Sequence, residues 1–242
     1  MSFSDAQLER YARHIILKEI GGEGQRRLAQ ARVAVIGAGG IGSPVIQYLA
    51  AAGVGTLVLI DDDIVALSNL QRQTIYRTGD ADRPKVEAAA EAGAAINGEV
   101  AFITHQTRLS SDNVDALLAG ADVIVDGCDN FETRLIVADA ALRQRIPLVS
   151  AAVDQFEGQL AVYRGWEADK PCYRCFVGHD PARPEMSCAD RGVLGSLAAL
   201  EAIRALTGFG DDPAGRLLIV DALAFRFRTL MLPKDPGCGC AG

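Results

Sequence analysis

Residues 33–43 read Val33-Ala34-Val35-Ile36-Gly37-Ala38-Gly39-Gly40-Ile41-Gly42-Ser43, an apolar β-branched run that breaks into glycines and restarts toward a helix. That order predicts a strand, a tight turn and a helix N-terminus, where unpaired N–H groups and the helix dipole face an anion. Gly37 permits the turn, Gly39 and Gly40 let backbone approach a ligand, and Gly42 allows close helix–strand packing. A glycine-rich turn alone is common in strand–helix connections. Here a second apolar run, Thr56-Leu57-Val58-Leu59-Ile60, ends in Asp61, about 20 residues on, where a carboxylate meets ribose hydroxyls in a mononucleotide-binding βαβ unit. Residues 32–61 are therefore read as a nucleotide site.

Working outward, Ser4-x-x-Gln7 forms a candidate capping box, followed by Leu8, Tyr11 or Ala12, Ile15 and Ile16 at helical spacing. Arg10 and Arg13 fall outside that apolar stripe. On the other side, Asp61 to Gln73 is dense in polar groups and lies where βα loops carry function. A helix is predicted from Arg83-Pro84-Lys85 to about Ile96, stopped by Asn97-Gly98. Glu99 to Thr104 reads as a strand, Ser111 as the cap of a short helix ending near Gly120, and Asp122 to Asp126 as a buried strand. That strand empties into Gly127-Cys128-Asp129-Asn130, ahead of a helix containing Thr133, Arg134 and Leu135. Loops after Ile36, Ile60 and Asp126 would thus point polar groups at one crevice.

From Pro147 the pattern changes. Pro147 to Ala152 reads as a strand, Glu157 to Tyr163 alternates with period two, 164–192 reads as a long loop, and a helix follows over about Leu194 to Leu206. Strands at Leu217 to Val220 and Phe225 to Met231 complete the pattern. The expected fold is α/β: a Rossmann-like, mostly parallel sheet with helices on both faces, extended by antiparallel strands in the C-terminal third. One domain over 1–242 is expected, divided into a helical arm (1–31), a nucleotide-binding half (32–150) and a second half (151–242).

Lys and Arg number 24 against 31 Asp and Glu, a formal charge of −7, which disfavours nonspecific binding to nucleic acid or anionic membrane. No charge interrupts Val33 to Ile60, but its glycines and Pro44 divide it into strand, helix and strand rather than a membrane span. The opening Met1 to Gln7 lacks the basic-then-apolar order of a secretion signal, so a cytoplasmic location is the expectation. The cysteines, Cys128, Cys172, Cys175, Cys188, Cys238 and Cys240, are accordingly expected as reduced thiols or metal ligands.

Taken in order, Arg10-Tyr11-x-Arg13-x-Ile15-Ile16-Leu17, the glycine turn through Ser43, Leu67-Ser68-Asn69-Leu70-Gln71-Arg72-Gln73, Asp126-x-x-Asp129-Asn130 and Pro171-Cys172-Tyr173-Arg174-Cys175 resemble the MoeB/ThiF/HesA family, bacterial relatives of ubiquitin-activating enzymes. The resemblance covers nearly the whole chain. It implies adenylation by MgATP of the C-terminal glycine carboxylate of a small β-grasp sulfur-carrier protein ending in Gly-Gly, with release of pyrophosphate. By that resemblance Arg72 and Lys85 would meet the phosphates, Asp61 the ribose, Asn69 the phosphate region and Asp129 the Mg²⁺. Asp63, Gln73 and Asn130 would join the nucleotide site. Arg13 would reach across a homodimer into the partner's site, and residues 151–242 would receive the carrier. A sulfur donor, if used, is expected as a separate protein because the chain ends at Gly242.

The same resemblance makes Cys172-x-x-Cys175 half of a structural zinc site whose other half is a C-terminal Cys-x-x-Cys. Here the tail is the tighter Cys238-Gly239-Cys240, with His179 as a substitute ligand should Cys240 not reach. Cys188, beside Arg191, matches a loop cysteine that could attack the acyl-adenylate. The segment between it and the helix at Ser196 is shorter than the family's by about two helical turns. Two other functions fit the glycine turn: an NAD-dependent oxidoreductase, and a nucleotide-binding scaffold that docks a carrier without activating it. Arg72 and Lys85, both suited to a triphosphate, stand against the first.

Overall fold

The computed structural model describes residues 3–178 and 192–241. Its centre is an eight-stranded sheet of order β3-β2-β1-β4-β5-β6-β7-β8. Strands β1 (Arg32–Ile36), β2 (Thr56–Ile60), β3 (Ala101–His105), β4 (Val123–Asp126) and β5 (Leu148–Asp154) are parallel; β6 (Glu157–Tyr163), β7 (Arg216–Asp221) and β8 (Arg226–Met231) continue antiparallel. The predicted mixed sheet is therefore the observed one.

Strand periodicity explains the two cores. In β1, Val33 and Val35 point to the face packed by α2 (Gly21–Gln30), α3 (Gly42–Ala52), α4 (Lys85–Ile96) and α8 (Gly192–Thr207). Ala34 and Ile36 point to the other, covered by α5 (Val114–Leu118), α6 (Phe131–Gln144) and α7 (Tyr173–Val177). With both faces covered, the central strands carry no charge between Arg32 at the start of β1 and their carboxyl ends, where Ile36 pairs with Ile60 and Asp126, and Ile60 with His105. The loops after β1 to β4 consequently open along one edge of the sheet.

Helix α1 (Asp5–Ile15) carries the capping box read from the sequence, the Gln7 amide donating to Ser4 Oγ at 3.2 Å and the Ser4 amide to Gln7 Oε1 at 3.0 Å. Tyr11 anchors it: the hydroxyl donates to Glu99 at 3.0 Å and accepts from Asn97 Nδ2 at 2.8 Å. His14 Nδ1 meets the oxygen of the buried Gln25, whose amide donates to the Ala52 carbonyl at 2.9 Å.

Four local expectations need correction. The short helix α5 is entered through Asn113, whose side chain accepts from the Ser110 amide, and not through Ser111. The predicted strand at Glu99 begins two residues later because Asn97 and Glu99 are committed to Tyr11. The expected loop over 164–192 contains α7. Helix α2 within the arm is unannounced by its glycine-rich start; it forms because Gln25 and Leu28 bury against the body. Cys188 and His179 lie outside the described residues.

Candidate nucleotide-binding site

A cleft of about 330 Å³ opens at the carboxyl edge of β1, β2, β3 and β4. Five stretches of loop build it. The first turns at Gly37, whose φ of +83° is open to glycine at little cost, and a Cβ there would press on Gly127 and Cys128. Gly39 lines the cleft, where a Cβ would stand 3.6 Å from Gln73 Nε2, on the side a ligand approaches. Gly40 and Gly42 lie outside the lining. Gly42 closes the turn instead, since a Cβ on it would fall 2.0 Å from the Gly37 carbonyl oxygen.

The second loop supplies Asp61, Asp62 and Asp63. Asp61 binds the loops together: one oxygen accepts from the Ala38 amide at 2.7 Å and the other from the Asp63 amide at 2.8 Å. Burial pushes its carboxyl above the usual range, against the opposing pull of Lys85 and these two N–H groups. Each oxygen keeps a lone pair for a hydroxyl donor. Lys85, first residue of α4, reaches from behind with its ammonium 2.7 Å from Asp63. The lysine side chain is 5% exposed and its partner 66%, so the charge is held at the cleft wall rather than in bulk water.

The 3₁₀ turn at Leu67–Asn69 places Asn69, Arg72 and Gln73 across from these carboxylates. Arg72 donates to Asn69 Oδ1 at 3.1 Å, while its Nε is buried with no hydrogen-bond partner. The Gln73 oxygen is also buried and unpartnered. Two orphaned polar atoms in one cleft wall fit an anionic, hydrogen-bonding ligand.

The fourth loop brings Gly127, Cys128, Asp129 and Asn130. Asn130 caps α6 by accepting from the Thr133 amide at 2.8 Å. Below it, Arg134 is 1% exposed and paired at 3.0 Å with Asp126, itself fully buried. Arg134 also donates to Ser150 Oγ, the Cys128 carbonyl and the Ala151 carbonyl at 2.7, 2.7 and 3.0 Å. It therefore supports the loop from beneath and does not line the cleft.

The cleft thus assembles Gly37, Gly39, Asp61, Asp63, Asn69, Arg72, Gln73, Lys85, Asp129 and Asn130, all read as candidates from the sequence. Arg13 stands apart, exposed on α1. Sequence reading missed Thr107, Arg108 and Leu109, which line the cleft from the loop after β3. The signal was available only through topology, because they too follow a parallel strand at the same edge.

Cys172, Cys175, Cys238 and Cys240 converge at a separate place, their sulfurs all within 4.8 Å of one another. Cys172 lies 3.7 Å from Cys175 and 3.5 Å from Cys238, and Cys175 lies 3.5 Å from Cys240. These separations are far from a disulfide bond and close to the edge of a tetrahedron, about 3.8 Å for sulfurs 2.3 Å from zinc. The shortened Cys-x-Cys tail brings both sulfurs in, so no histidine substitute is needed. Three of the four cysteines are buried.

Fold and cleft together define a nucleotide-binding α/β protein with a glycine turn, three cations and several carboxylates at the sheet's switch point. The sequence profile of the ThiF family matches residues 11–240, and the chain belongs to that family. It is 44% identical over 253 aligned residues to the SAMP-activating enzyme E1 of Haloferax volcanii, covering all of this chain and 92% of that protein. It is 43% identical to the sulfur carrier protein adenylyltransferase of Thermus thermophilus, covering 93% of it. Among solved structures, that of PaaA superposes with a TM-score of 0.82 at 26% identity, over 96% of this chain and 76% of that one. Among the described residues, no helix is long and apolar enough to cross a membrane.

Proposed function

We propose that this chain transfers the adenylyl group of ATP to the C-terminal carboxylate of a ubiquitin-like sulfur-carrier protein, releasing pyrophosphate. The observation that carries this reading is the convergence of Arg72, Lys85, Asp61 and Asp129 on one cleft beside the glycine turn. Two anions must meet when a carboxylate attacks the α-phosphorus, and negative charge grows on the leaving diphosphate. Arg72, with its free Nε, would take phosphate oxygens as a fork, and Lys85 would exchange Asp63 for phosphate as a mobile point charge. Asp61 would accept a ribose hydroxyl, and Asn69, Gln73 and Asn130 would bond the remaining polar edges.

Asp129 would hold Mg²⁺, its exposed carboxylate and the phosphates being the hard oxygen donors that ion prefers; Mg²⁺ would supply further charge neutralisation on the phosphates. The four-cysteine cluster would hold a structural zinc ion, closed to substrate, in keeping with four sulfurs gathered within 4.8 Å of one another. Arg13, unengaged by its own cleft, supports a homodimer in which it enters the partner's site. The relatives' names support a sulfur-carrier partner; a cytoplasmic setting agrees with cysteines kept as thiols.

ATP–pyrophosphate exchange that depends on a carrier ending in Gly-Gly tests the reading. Exchange without carrier dependence, or reduction of a nicotinamide by the same preparation, would defeat it.

A further inference from the structure

The residues between the first two cysteines are not those a metal-binding turn requires. Tyr173 is 7% exposed and stands edge-on to Tyr163, ring centroids 5.5 Å apart at 89°, and 6.4 Å from Phe131, the first residue of α6. Arg174 turns the other way and grips Asp139 on the same helix, with Nε and Nη2 each 2.7 Å from a carboxylate oxygen. The cysteine cluster therefore holds α6 at two points, its first residue and a residue eight positions along. Those points are about 12 Å apart on a helix. Two contacts that far apart on a rigid rod fix the direction of its axis as well as its position.

The end so fixed faces the nucleotide cleft. Asn130 caps α6 and Asp129 precedes it, both in the cleft wall. Arg134, one turn into the helix, donates to the Cys128 carbonyl at 2.7 Å and so carries the helix position into the loop backbone.

We propose that Tyr173 and Arg174 are positioning residues that tie the four-cysteine cluster to α6 and thereby hold Asp129 and Asn130 opposite Arg72 and Lys85. The inference rests on the adenylation reading for the meaning of the cleft. Its consequence is that these two side chains set affinity for the metal–nucleotide complex while the cluster keeps its metal, although neither lines the cleft.

The test uses the full chain with its metal content measured, and reads binding of a non-hydrolysable ATP analogue with Mg²⁺ by calorimetry together with amide exchange at residues 127–134. Arg174→Gln and Tyr173→Leu are expected to retain metal, to bind the analogue roughly 10-fold more weakly, and to exchange faster at 127–134. Asp139→Asn, on α6 and outside the cysteine turn, should weaken binding in the same direction, and the double variant should lose less than the two single losses combined. Tyr173→Phe, which keeps the ring contacts, should restore binding to near the parent value. In pyrophosphate exchange the loss should fall on KM for ATP more than on kcat. Unchanged affinity in Asp139→Asn and Arg174→Gln, or weakening only in proportion to lost metal, overturns the brace while leaving the adenylation reading intact. A parent protein that holds metal but binds no analogue overturns both.

Discussion

Two buried cations flank the same cleft and are held in opposite ways. Arg134 is sealed beneath the loop, with Asp126, Ser150 and two carbonyls on its terminal nitrogens and only Nε left without a partner. Lys85 has a carboxylate partner that is largely exposed, and Arg72 lines the cleft itself. A charge shut off from the cleft is scaffolding. A charge on the cleft wall is available to a ligand. The contrast separates residues that build the cleft from those that work in it, a distinction the residue types alone do not make.

The strongest way to break that contrast is Arg134→Met. It leaves Asp126 buried without its counter-ion, and the expected loss of stability is about 3–5 kcal/mol, checked by urea denaturation of the metal-loaded protein. If stability is retained and only nucleotide affinity falls, Arg134 is a ligand residue and the division fails.

Lys85→Met should do the reverse. Its ion pair with an exposed carboxylate contributes no more than about 1 kcal/mol to folding, and the stem's packing survives the substitution. Pyrophosphate exchange should nonetheless fall by roughly 10²–10³, the usual worth of one electrostatic contact to developing charge. A Lys85→Met protein that unfolds early would place this lysine with Arg134.

Arg72→Lys sharpens the point at smaller scale. Positive charge remains but the fork is lost, with the bond to Asn69. Nucleotide binding measured by calorimetry should weaken by roughly tenfold, the contribution of one hydrogen bond to a charged group. Asn130→Ala should have the smallest effect, a loss of about 1 kcal/mol in stability from removing the cap of α6. A much larger loss in thermal or urea unfolding would show that the loop itself, and not only the helix end, depends on that side chain.

What could be read from the chain was local. Alternation and β-branching marked the strands, Ser4 and Gln7 the capping box, Pro84 and Asn97 the ends of α4, and the glycines the turn between β1 and α3. Each reflects a preference of neighbouring residues for one backbone geometry, so the message lies within a few positions. The short helices were less legible. In α7 the five residues Tyr173–Val177 have too little length to show a period, and in α2 the glycines oppose a helix that burial of Gln25 and Leu28 enforces.

The sequence by itself determined the α/β class and the glycine cradle, because hydrophobic period and turn chemistry act at short range; the other residues able to meet a nucleotide were legible through the resemblance of their motifs to a known family. Only the tertiary structure decided that Thr107 to Leu109 share the cleft, that Arg134 is sealed beneath it, and that Cys238 and Cys240 reach Cys172 and Cys175 across more than sixty residues. Those facts depend on which strands lie side by side and which side chains lose water. Burial and strand order are collective outcomes of packing, and no stretch of the chain carries them alone.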